Sequence, residues 1–192
     1  KPLKTLIESR ISTETQYFQM EYFIIANKDK IFLLVENQTN VYIISAVKMY
    51  LEKNVKLEIP SFYKPMPDSF YRFKNNQGPS SPTSLEIELE NWKTGYSSIS
   101  NAIIDNSYLL VQIRTADKRY KKFALLFYTL DSLKLKYTLY TDDYLMAAKN
   151  GKYYFYANGN PGIDDGTDST IINIYEWINK WKHPNPFLKK TL

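Results

Sequence analysis

Short runs of Ile, Val, Leu, Phe and Tyr, four to nine residues long, alternate along this chain with clusters of Asn, Asp, Gly, Ser and Lys. Runs of that length, rich in β-branched and aromatic residues and closed by turn formers, predict strands. The clearest lie at 18–26, 31–36, 41–47, 56–59, 70–74, 85–90, 99–105, 108–115, 122–130, 133–141, 144–148, 152–157 and 170–178. Leu85–Glu90 alternates strictly, so three aliphatics share one face and three glutamates the other. Ile31–Val35 and Phe123–Phe127 are apolar throughout, which predicts strands covered on both faces. A chain with both kinds of strand must stack sheet on sheet. Only Leu3–Ile11, apolar at 3, 6, 7 and 11, and the stretch Ala46–Lys53 compete as short helices.

A repeat lies within this list. The strands that follow Asp- or Asn-punctuated turns begin near Ile31, Tyr71, Tyr108 and Tyr153, at intervals of 40, 37 and 45 residues. Within each unit a strand, a punctuated turn, a second strand, a variable connector and a third strand recur, with an outer strand at Leu133–Thr141 in the third unit. A period near 40 residues with this order is that of propeller blades, whose sheets bury their apolar faces against one another. The predicted fold is all-β: a single β-propeller-type domain of about four antiparallel blades at 12–60, 61–95, 96–141 and 142–178, followed by a tail at 179–192. A six-bladed ring would need about 240–260 residues at this period, so the chain reads as part of a longer protein.

Composition narrows the chemistry. The 192 residues contain no Cys and one His, His183, which excludes disulfides, thiolate nucleophiles, Cys-ligated metals and two-histidine metal sites. Phosphate-cradling glycine motifs and a Gly-x-Ser-x-Gly elbow are absent. The net charge of +5 is spread among acidic residues, apart from a small group at Lys180, Lys182, Lys189 and Lys190, which argues against a nucleic-acid partner. No apolar run is long enough to span a bilayer as a helix. Aromatic residues make up 16 % of the chain, enough to fill the gaps between blades and leave some rings for binding.

The segments YLLVQIRT at 108–115, KKFALLFYTL at 121–130, LKLKYTLYTDDYLMAAKNGKYYFYANGNP at 133–161 and TIINIYEW at 170–177 resemble the final blades of six-bladed, NHL/TolB-like β-propellers of bacterial secreted or lipid-anchored proteins. The resemblance is one of pattern over about residues 12–178. It implies a propeller fold, an extracytoplasmic address at the periplasm or cell surface, and membrane attachment only through a lipid anchor upstream of Lys1. It implies no catalytic residue.

Candidate chemistry comes from three sets of side chains. Asp105, Asp142 and Asp143 precede strands where a propeller funnel would collect acids, and a pair of carboxylates is what a glycoside hydrolase needs as acid and base. Asp29, Asp68 and Asp105 are read as equivalent turn positions, and there an Asp side chain equally well bonds its local backbone. Tyr63, Tyr71 and Arg72 on an aromatic, Pro-rich stretch, with Tyr154 and Tyr156 on an aromatic hairpin, are candidate platforms for a protein or carbohydrate ligand. Asp164, Asp165 and Asp168 in the Gly-rich loop at 158–168 offer oxygen ligands for calcium, the one cofactor considered, without the spacing of an EF-hand. The expected function is a non-enzymatic binding module; the alternative is a carbohydrate-active hydrolase or lyase with acids in the funnel.

Overall fold

The structure, a computed structural model, describes residues 21–66, 95–157, 171–177 and 187–191. These residues form twelve strands in three four-stranded antiparallel sheets, each a meander in chain order. The first sheet holds β1 (Tyr22–Asn27), β2 (Lys30–Val35), β3 (Asn40–Ser45) and β4 (Leu51–Lys56). The second holds β5 (Ser98–Asp105), β6 (Tyr108–Arg114), β7 (Phe123–Thr129) and β8 (Leu135–Thr141). The third holds β9 (Tyr144–Lys149), β10 (Lys152–Tyr156), β11 (Ile172–Trp177) and β12 (Phe187–Thr191). The fold is all-β and propeller-like, built from blade-type sheets. The strands expected at 70–74 and 85–90 and the helix competitor at 3–11 lie outside the described residues.

The chain divides into two compact units, Lys1–Ser100 with Thr115–Asp117, and Asn101–Arg114 with Lys118–Leu192. In the first unit, Phe32–Val35 are buried on both faces of β2, as an uninterrupted apolar run requires. Ser97 N–H donates to the Lys64 carbonyl, and Ile99 N–H to the Glu36 carbonyl, so the chain entering β5 is tied to the first sheet's unit. In the second unit two sheets share one core. Leu110, Leu125, Phe127 and Leu139 of one sheet pack with Leu145, Tyr153, Phe155, Tyr175 and Phe187 of the other. Phe127 lies at its centre, edge-on to Tyr108, Tyr137 and Tyr153 at 5.3–6.4 Å and against Phe187 at 5.1 Å. Such ring pairs add to the burial of the apolar surface itself.

The repeat extends to individual backbone angles. The two-residue turns after β1, β5 and β9 carry Lys28, Asn106 and Asn150 at φ of 55°, 52° and 55°. Asn150-Gly151 has positive φ at both positions, the geometry that matches the twist of a two-residue hairpin and that Asn-Gly adopts at least cost. Aligning the turns gives Asp105 the position of Asn27 and Ser107 that of Asp29, so Asp29 and Asp105 are not equivalent, contrary to the sequence reading. The β3–β4 and β7–β8 turns also match. Ser45 and Thr129 N–H donate to the carbonyls of Tyr50 and Lys134, and Met49 and Leu133 N–H donate back to those of Ser45 and Thr129. Met49 and Leu133 hold φ of 50° and 52°, and a bulge precedes each turn, at Ile43/Ile44 and Phe127/Tyr128.

Three local expectations are corrected. Ala46–Lys53 winds no helix: it forms this turn and the start of β4. The strand expected at 56–59 lies instead at Leu51–Lys56, a charged edge strand whose apolar pattern is weak because one side faces water. The tail after 178 contributes β12, which pairs with β11 from Trp177↔Phe187 to Asn173↔Thr191.

Candidate functional site

Gln112, Thr141, Asp143 and Asn173, buried polar side chains of the second unit, converge where β8 passes into β9. Thr141, Asp142 and Asp143 make that connection. At the bend between the two strands the two aspartates part company. Asp143 is 3 % exposed, while Asp142 faces solvent.

Asp143 Oδ2 accepts hydrogen bonds from Asn173 Nδ2 at 2.8 Å and from the Tyr175 hydroxyl at 3.0 Å, both on β11. Tyr175 has a single proton, and with that proton on the carboxylate its oxygen is left to accept from Thr141 Oγ1, 3.3 Å away. Thr141 Oγ1 in turn accepts from Asp143 N–H at 3.0 Å. The result is a closed circuit of donors and acceptors around a buried carboxylate, the arrangement that makes burial of charge affordable.

Two amides extend the circuit to the neighbouring sheet. Gln112, fully buried in the middle of β6, donates from Nε2 to the Asp143 carbonyl at 3.0 Å and accepts from Leu145 N–H at 2.9 Å. It thereby behaves like one step of a β-ladder towards a strand of another sheet. Asn101 Nδ2 on β5 donates to the Leu145 carbonyl at 2.7 Å. A second inter-sheet tie is Asp105, whose two carboxylate oxygens accept from Asn150 N–H at 2.8 Å and Gly151 N–H at 2.7 Å and so cap the β9–β10 turn. Burial, and then the negative charge of Asp105, push the Tyr153 phenol above its ordinary pKa.

Asp142 belongs to the surface. Lys121 Nζ lies 2.6 Å from its carboxylate, which also accepts from Lys122 N–H at 3.1 Å. The Lys121 hydrogen bond holds its carboxyl below the usual range. The structure thus sets Asp105, Asp142 and Asp143 in three separate environments, each with its carboxylate engaged by donors.

The aromatic candidates separate in the same way. Tyr154 and Tyr156 lie half-buried on the face of β10 opposite Tyr153 and Phe155, paired with Ile174 and Ile172. Tyr63 follows β4 in the first unit. Its hydroxyl is buried and has no hydrogen-bond partner among the described residues, and burial raises its pKa to about 12. Tyr71, Arg72, Asp164, Asp165 and Asp168 lie outside the described residues. Among the described residues no three acidic or histidine side chains gather as a metal site, and no helix is long and apolar enough to cross a membrane.

Gln112, Asn101 and Asn173 were not singled out by sequence reasoning. For Gln112 and Asn173 the signal is a polar residue within an apolar run, as in Leu109-Leu-Val-Gln-Ile113 and Ile172-Asn-Ile174, whereas Asn101, next to Ser100, carries no such signal. A polar group buried on such a strand must have a partner.

No protein family's sequence profile matches this chain, and no curated protein matches it in sequence. Among solved structures, the WD40 domain of SCAP from fission yeast aligns with 93 % of this chain at 14 % identity and a TM-score of 0.35. The chain spans 42 % of that domain's length.

Proposed function

We propose that this chain is a non-enzymatic binding module, part of an extracytoplasmic bacterial propeller protein, whose ligand is a protein or a carbohydrate met by its loops. The observation that carries this reading is the use made of its acids. Asp105 caps a turn through both oxygens, Asp143 closes a buried circuit and Asp142 is paired with Lys121. Acid–base hydrolysis of a glycosidic bond needs two carboxylates facing one substrate, whereas Asp105 and Asp143 hold the scaffold and Asp142 is engaged by a surface lysine. The extracytoplasmic address and an upstream lipid anchor rest on the family resemblance alone, and fractionation of the native protein among cytoplasm, periplasm and membrane tests them.

The test compares wild type with Asp105→Asn, Asp142→Asn and Asp143→Asn in thermal melts, in assays on chromogenic glycosides from pH 4 to 8, and on glycan and peptide arrays. The expected result is array binding without turnover, with Asp105→Asn and Asp143→Asn lowering Tm. Turnover that Asp142→Asn abolishes at unchanged Tm would replace this reading with the hydrolase. Calcium at Asp164, Asp165 and Asp168 remains a proposal from sequence; a rise in Tm with millimolar calcium, lost in Asp164→Asn/Asp165→Asn, is its test.

A further inference from the structure

The β3–β4 turn has an internal control, because the β7–β8 turn repeats its hydrogen bonds and its left-handed residue. In the β7–β8 turn the sequence is Leu130-Asp-Ser-Leu133. Asp131 and Ser132 face solvent and are hydrogen-bonded to each other and to Thr129, while Leu133 is 6 % exposed and earns its left-handed position by entering the core. In the β3–β4 turn the matching residues are Ala46-Val-Lys-Met49. Val47 is 78 % exposed, Met49 57 % and Tyr50 44 %. Three large apolar side chains are therefore held in water on this turn and the residue after it, one of them at a φ of 50° that glycine or asparagine would adopt more easily. Folding gains nothing there that Asp-Ser does not supply in the second copy.

The charge around this turn has one dominant sign. Ala46 N–H donates to the Asp29 carbonyl at 2.7 Å and Lys30 lies opposite Ser45, so the β1–β2 turn flanks the apolar tip. Among the described residues, Lys28, Lys30 and Lys48 are exposed on these two turns against a single carboxylate there, Asp29. Farther along β4, Glu52 and Lys53 offset each other. Exposed apolar side chains on a turn flanked by lysines suit an interface that yields to them and carries negative charge.

We infer that the Val47–Tyr50 turn docks on an anionic lipid surface, with Val47 and Met49 entering the headgroup–acyl boundary and Lys28, Lys30 and Lys48 meeting lipid phosphates. This contact is independent of the ligand assigned to the loops above. The experiment is co-sedimentation of the full chain with vesicles of 70:30 phosphatidylcholine:phosphatidylserine and of phosphatidylcholine alone, at low and high salt. Wild type sediments with the anionic vesicles and is released by salt. Val47→Asp/Lys48→Ser, which installs the residues of the second copy, weakens partitioning at least about ten-fold. Lys28→Gln and Lys30→Gln each weaken it by about five-fold. Met49→Gly suits the backbone angle, keeps the fold and still loses binding. The inference is overturned if wild type ignores anionic vesicles, if these variants bind like wild type, or if the tip variants lose only a soluble protein partner. Loss of vesicle binding with intact array binding would leave the binding-module reading standing.

Discussion

At the residue scale, two adjacent aspartates have opposite thermodynamic roles. Asp143 accepts from Asn173 and Tyr175 in the interior, where hydrogen bonds to a charged group contribute about 1.5–3 kcal/mol each. Asp143→Asn keeps the shape and removes the charge, so we expect a loss of about 2 kcal/mol, or roughly 4–8 °C in Tm at this chain length, measured by circular dichroism. Asp142 is partnered by Lys121 in solvent, where such pairs contribute at most about 1 kcal/mol. Its carboxyl pKa is lowered in the folded state, so its contribution is present above the unfolded value of about 3.9 and disappears as pH falls through the lower folded value. The Tm gap between wild type and Asp142→Asn should therefore be small and constant at neutral pH and should close on acidification below about pH 4. Tyr63 provides the opposite sign. Its buried hydroxyl has no partner among the described residues, so Tyr63→Phe is expected to be neutral or stabilising by up to about 1 kcal/mol. Since the folded phenol titrates near 12, the stability tied to it is full below about pH 10 and is lost above that; Tyr63→Phe should flatten this alkaline decline. The acids were legible as turn or strand-entry positions. That Asp143 points inward and Asp142 outward was not legible, because both stand in the bend between β8 and β9, where strand alternation does not apply.

At the element scale, equivalent turns carry the same backbone angle for different reasons. A left-handed residue other than glycine costs about 1–2 kcal/mol. Leu133 offsets this by burial, and Met49 does not. Met49→Gly should therefore be neutral to stabilising by about 0.5–1 kcal/mol, and Leu133→Gly destabilising by about 1–3 kcal/mol. Denaturant midpoints with unchanged slopes would establish the contrast, and equal signs would contradict the assigned burial. The strands legible in the sequence were those with apolar residues to align, such as β2, β6, β7 and β10. The edge strands β4 and β12 were misplaced or missed because Leu51-Glu-Lys-Asn-Val-Lys56 and Phe187-Leu-Lys-Lys-Thr191 break the apolar pattern with charged residues, as edge strands do. The Met49 turn was hidden for a related reason, since its sequence contains no Gly, Asn or Asp to announce a positive φ.

At the scale of the whole molecule, the recurring unit is a sheet that cannot cover its own two faces, so stability has to be shared between sheets. In the second unit the sharing is both apolar and polar. Phe127 reaches Tyr153 and Phe187 across the core, and Gln112 supplies a donor and an acceptor to the backbone of the next sheet. These two ties predict different failures. Phe127→Ala removes a fully buried ring and should cost about 3–5 kcal/mol. Gln112→Leu keeps most of the volume but strands the Asp143 carbonyl and the Leu145 N–H, at about 1–3 kcal/mol each. If the two sheets form one cooperative body, either substitution lowers hydrogen-exchange protection in β5–β8 and β9–β12 together, by a similar free energy in both. Loss confined to β5–β8 after Phe127→Ala would mean that each sheet holds its own stability and that the repeat is a row of independent folding units.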